Sequence, residues 1–158
     1  MKRKLFCCVL VFMVFMNCFS GCTKNTEKID IFNEHESSFT EINNLMIEFL
    51  NDGQDGLYSI EKDDEYFIVS LYYNGKDITL NDSQLKAIND IKGLYTSDFS
   101  MIDVSTDRIS YGGLGHEMYV YTFDGSKPDY YYSDDEKDAF ETYQLSDNWY
   151  LLIRETWP

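Results

Sequence analysis

The chain has little histidine, little proline and, past residue 22, no cysteine. Each shortage removes a class of chemistry. Imidazole comes only from His35 and His116, each followed by a glutamate. Neighbours on a strand point to opposite faces, so His116 and Glu117 cannot share a ligand, and a two-histidine metal site would need His35 and His116 to meet in space. The cysteines are Cys7, Cys8, Cys18 and Cys22, which leaves the rest of the chain without a disulfide, a zinc–thiolate site or a cysteine nucleophile. Basic residues are few as well, 13 against 28 acidic ones. Phosphate contacts need Lys and Arg, so the composition argues against nucleic acid as a partner and against adsorption of the domain to anionic lipid headgroups. No G-x-S-x-G or Walker pattern occurs. No catalytic residue, metal ligand or cofactor is assigned.

What is present begins with MKRKLFCCVLVFMVFM. Lys2, Arg3 and Lys4 give a positive start, and Leu5 to Met16 is an unbroken apolar run of twelve residues. That length suits the hydrophobic part of an export signal and is short for a bilayer span. Phe19-Ser20-Gly21-Cys22 follows. This stretch resembles the lipobox of bacterial lipoproteins, in which a large aliphatic residue and two small ones precede the cysteine. Phe19 stands where Leu is usual, and the resemblance covers residues 1–22 only. It implies cleavage between Gly21 and Cys22 and acyl chains, such as palmitate, on Cys22. At about 0.8 kcal/mol per buried methylene one chain binds marginally, and two or three hold firmly. An uncleaved apolar anchor is the alternative. Both place the domain on the extracytoplasmic face of the cell membrane. A metal clip at Cys18 and Cys22 would be stranded inside the export signal.

The expected division is a signal peptide at 1–21, the lipidated Cys22 with a polar tether over 22–31, and a single domain at 32–158. Without residues 1–21 the balance is 10 basic against 28 acidic, a net charge near −18. Such a field favours cationic partners and also keeps a protein soluble. All 13 tyrosines and both tryptophans follow the leader, which excludes an acidic disordered tail.

In SSFTEINNLMIEFLNDG, residues Phe39, Ile42, Leu45, Met46, Phe49 and Leu50 share one helical stripe. Ser38 and Glu41 suit a capping box and Gly53 a stop. Phe32 lies on the same stripe and allows a start one or two turns earlier. A second helix is expected in LNDSQLKAINDIKGLY, with Asn81 and Gln84 as its capping box, Leu80 and Leu85 as a staple and Gly93 just past its end. Strands are expected at 57–62, 65–73 with a turn at Asn74-Gly75, 76–79, 99–104, 109–111, 116–123 and 149–155, with a short extended piece at 130–132. Asp134, Asp135 and Glu136 suit the first turn of a short helix over 133–143. The pattern predicts an α+β fold: one antiparallel sheet of five to seven strands, built of meanders and hairpins, with two main helices on one face.

Three constellations invite chemistry. YGGLGHE, residues 111–117, resembles a phosphate loop but lacks a following helix, and reads as a bulge or turn. NDGQDG, residues 51–56, lacks the oxygen ligand at its third position and the glutamate at its twelfth that an EF-hand requires. Asp134, Asp135, Glu136 and Asp138 read as a calcium cluster or a solvated charge run. Aromatics are the remaining signal. Tyr119, Tyr121, Tyr130, Tyr131, Tyr132 and Trp149 are the candidate binding surface, with cross-strand pairing on a sheet face as the plain alternative. Three functions are left open: a binding, inhibitor or immunity-like module for a basic protein or peptide, a structural or accessory envelope lipoprotein, or a small-ligand binder or enzyme with a pocket near Gly112 to Glu117.

Overall fold

A computed structural model describes residues 2–63, 66–71, 76–95, 99–112, 117–129 and 140–154. The Asn74-Gly75 turn, His116, the 113–115 glycine segment, Tyr130 to Tyr132, the 134–138 acidic run and Trp157 lie outside them. The chain forms two compact units, Met1–Glu34 and His35–Pro158. The first is helical from Lys2 onward; the second holds the sheet.

Helix α1 spans Lys2–Asn51, far longer than the spacing of its apolar stripe predicts. Proline, the one residue that would stop it outright, is absent before Pro128. The expected capping box at Ser38 is not used. Ser38 sits inside the helix, and its hydroxyl donates to Asp90 Oδ2 at 3.1 Å. The far end follows expectation: Gly53 has φ 73°, Gly53 N donates to Leu50 O at 3.0 Å, and Gln54 N donates to Phe49 O at 2.9 Å. Those two bonds satisfy the last carbonyls in the pattern that a left-handed residue makes possible.

Helix α2, Asp82–Gly93, starts where local chemistry says it should. Asn81 Oδ1 accepts from Gln84 N, and Gln84 Oε1 accepts from Asn81 N, both at 3.0 Å. Its end differs from expectation: Gly93 is still helical, and Leu94 caps it in ordinary right-handed conformation. Ala87, Ile88 and Ile91 form the buried stripe.

Among the described residues eight strands make one sheet, more than the five to seven expected: β1 Gly56–Asp63, β2 Tyr66–Leu71, β3 Lys76–Ile78, β4 Met101–Val104, β5 Arg108–Gly112, β6 Glu117–Thr122, β7 Phe140–Gln144 and β8 Trp149–Arg154. The order is β3-β2-β1-β4-β5-β6-β8-β7, and each pairing is antiparallel. The extra strand is β7, in a segment whose acidic start suggested a helix. Phe, Thr and Tyr fit a pleated surface, and hairpin pairing with β8 decides the outcome.

Register fixes which side chains share a face. Tyr58 stands opposite Ile102, Ile102 opposite Tyr111, Tyr111 opposite Tyr119, and Tyr119 opposite Leu151. All five are buried. Phe39 of α1 lies on this face, with its ring 5.2 Å from Tyr111, 4.9 Å from Tyr119 and 5.0 Å from Trp149. Aromatic pairs of this kind add about 0.5–1.5 kcal/mol each beyond area burial. The opposite face is buried too at the β6–β8 end, where Val120, Tyr150 and Leu152 pack with Met118 and Phe140. Burial on both faces explains how so many aromatics fit one small domain.

Candidate functional site

The sequence of α1 carries two stripes side by side. Phe39, Ile42 and Met46 face the core. Glu36, Thr40, Asn43, Asn44 and Ile47 recur at the same helical spacing on the neighbouring stripe. That second stripe forms one wall of a cleft of about 500 Å³; the other wall is Tyr121 of β6, Trp149 of β8 and the β7–β8 turn residues Ser146, Asp147 and Asn148. Ligand clefts typically hold about 300–1,000 Å³.

The turn wall is held from three directions. Leu145 N donates to Trp149 O at 2.8 Å and closes the hairpin. Asn148 Nδ2 donates to Thr122 O at 2.7 Å, and Thr122 N donates to Asn148 O at 2.9 Å. Tyr150 hydroxyl donates to Gly125 O at 2.6 Å and fixes the neighbouring loop. In that loop Ser126 donates from its backbone and its hydroxyl to Asp124 Oδ1, at 2.9 and 2.6 Å, which holds the Asp124 carboxyl below the usual range. A rigid wall presents its polar groups at fixed positions, the condition for selective recognition.

The helical wall is anchored through Asn43. This side chain is only 5 % exposed, yet it lines the cleft. Its Oδ1 accepts from the Tyr111 hydroxyl at 2.6 Å. Burial pushes the Tyr111 phenol well above its ordinary pKa, so it stays a donor. The floor beside it is aromatic: the rings of Tyr121 and Trp149 lie 5.2 Å apart, and Trp149 also meets Tyr111 at 5.8 Å.

The electrostatics are one-sided. Glu36 and Asp147 are exposed carboxylates on opposite walls, and the described lining includes no Lys or Arg. Neither carboxylate has a hydrogen-bond or ion-pair partner among the described residues. The described lining holds hydroxyls and amides but no histidine, lysine or cysteine to act as base or nucleophile. Its hydroxyls, amides and two carboxylates can make hydrogen bonds and present negative charge.

The sequence-expected site residues divide. Tyr121 and Trp149 stand opposite each other in register and both line the cleft. Tyr119 does not: it is 4 % exposed, packed against Phe39, with its phenol pushed up to about 12 by burial and by the charge of Glu117. Gly21 and Cys22 lie within α1. Tyr130, Tyr131 and Tyr132 lie outside the described residues. Gly112 is buried against Met118, and the cleft opens at the other end of β6 from Glu117. Sequence reasoning missed Glu36, Asn43, Asp147 and Asn148. The available signal was a polar stripe at helical spacing beside the apolar one, with an asparagine wedged between core positions.

Among the described residues no group of three His, Cys, Asp or Glu side chains is placed to hold a metal ion, and no helix is long and apolar enough to cross a membrane. In comparison with known proteins, no family model matches the chain, and no curated protein or solved structure matches it.

Proposed function

We propose that this protein is a lipid-anchored, extracytoplasmic binding module for a basic protein or peptide, in the manner of an inhibitor or immunity protein. One observation carries the reading: a preformed cleft with a carboxylate on each wall and no cation in its described lining. The acidic surplus of the whole chain points the same way, since a net charge of −15 draws cationic partners and speeds encounter. The lipobox-like ending of the leader at Cys22 supports the anchor.

The test uses the full chain in detergent as bait on extract and medium of its own host, washed at low and at high salt. A near-stoichiometric basic partner released by salt is the expected result. A partner held equally at high salt would replace this reading with an apolar scaffold role. Recovery of no protein partner would overturn it.

A further inference from the structure

We infer that the cleft between α1 and the β7–β8 turn receives one arginine or lysine side chain together with a carbonyl of the peptide that bears it. The inference rests on the binding reading above and specifies what that site recognises.

Two features demand a cation. Glu36 and Asp147 approach from different elements, so their charges are not a by-product of one acidic run, and neither is neutralised by a described group. Asn148 adds an acceptor. Its Nδ2 is committed to Thr122 O, which leaves Oδ1 as the remaining polar atom of that amide. Charge-assisted hydrogen bonds from an ammonium or guanidinium to such acceptors are about twice as strong as neutral ones.

A third feature demands an acceptor on the ligand. Asn43 is nine-tenths buried, and its orientation is fixed by Tyr111. Were the amide turned round, the buried Tyr111 hydroxyl would lose its only described acceptor. The Oδ1 end is therefore occupied, and Nδ2 is the donor that this amide is left to offer the cleft it lines. An incoming carbonyl satisfies it. A cationic side chain supplies donors to the two carboxylates, and its own backbone supplies that acceptor. A simple amine or metal ion supplies only half of the match.

The probes are acetyl-Gly-Arg-Gly-amide, its lysine and citrulline counterparts, and butylguanidine, which has the cation without the carbonyl. Each is titrated into the full chain in detergent, with calorimetry for affinity and the Asn43 side-chain amide signal in NMR for position. The arginine or lysine peptide is expected to bind and to shift the Asn43 signal. The citrulline peptide should bind about tenfold more weakly. Butylguanidine should leave the Asn43 signal in place. Glu36→Gln and Asp147→Asn, both at exposed positions, should each weaken the peptide about two- to fivefold, the range of a partly exposed ion pair. Equal affinity for the citrulline peptide, no effect of either substitution, or no binding of any probe would overturn the inference. A captured basic partner that ignores Glu36→Gln and Asp147→Asn would overturn this inference and leave the binding reading standing. Peptide binding in the cleft without any captured partner would do the reverse.

Discussion

The Tyr111 hydroxyl and Asn43 Oδ1 meet at 2.6 Å, joining β5 to α1 across 68 residues of sequence. Both ends of the bond are buried. Asn43→Leu should strand the Tyr111 hydroxyl and cost about 1–3 kcal/mol. Adding Tyr111→Phe should recover most of that loss, because two apolar groups in place of a bonded pair leave nothing unsatisfied. Urea unfolding of the two single variants and the double variant gives the coupling directly. Equal and additive losses would mean that the bond contributes nothing beyond packing.

Gly125 and Gly93 make a matched pair with opposite expected signs. Gly125 has φ +72°, and an added Cβ would lie 3.0 Å from Asp147 O. Gly125→Ala should therefore destabilise by about 1–3 kcal/mol, through left-handed strain and displacement of the cleft wall. Gly93 is the last residue of α2 and would present a Cβ to open space. Gly93→Ala should stabilise by about 0.5–1 kcal/mol through reduced freedom of the unfolded chain. Thermal melts of the two variants check both signs at once.

How much of this was legible beforehand varied with the range of the forces involved. The start of α2 was readable because Asn81 and Gln84 bond each other within a single turn. The stop at Gly53 was readable for the same local reason. The start of α1 was not: Ser38 looks like a cap, but its hydroxyl is drawn to Asp90 on another helix, 52 positions away. The strand at Phe140 to Gln144 was hidden by its acidic approach, since only β8 reveals it. The cleft was least legible of all. It joins Asn43 to Asn148 through folding alone, and neither residue carries a local motif. Tyr119 misled for a related reason: alternation shows that a tyrosine changes face, but not that both faces are covered.

In the proposed lipoprotein reading, anchoring rests on a single atom, the Cys22 thiol. Cys22→Ser would remove that acylation site and leave every other residue unchanged. The protein is expected to move from the membrane fraction to the soluble extracytoplasmic fraction or to accumulate unprocessed. Cell fractionation and the intact mass of the purified chain decide this. A mass that differs from that of the unsubstituted chain only by oxygen in place of sulfur, with unchanged membrane retention, would instead indicate an uncleaved apolar anchor.

Alkaline pH should expose the aromatic core. Tyr111 and Tyr119 are buried, and burial raises both phenols, Tyr119 to about 12 with help from Glu117. In the unfolded chain a tyrosine ionises near pH 10. Below about pH 10 both states hold the proton, and the full contribution to stability is present. Between about 10 and 12 the unfolded chain releases protons that the folded chain keeps. Stability therefore falls as pH rises through that window. Tyrosinate absorbance should rise in two stages, the second cooperative with loss of near-UV circular dichroism. Tyr119→Phe should shift the second stage upward in pH, because a phenylalanine has no proton for the unfolded chain to lose. If all the tyrosines titrated in one step near pH 10 while the fold persisted, Tyr111 and Tyr119 would have to be solvent-accessible, contrary to their packing against Phe39.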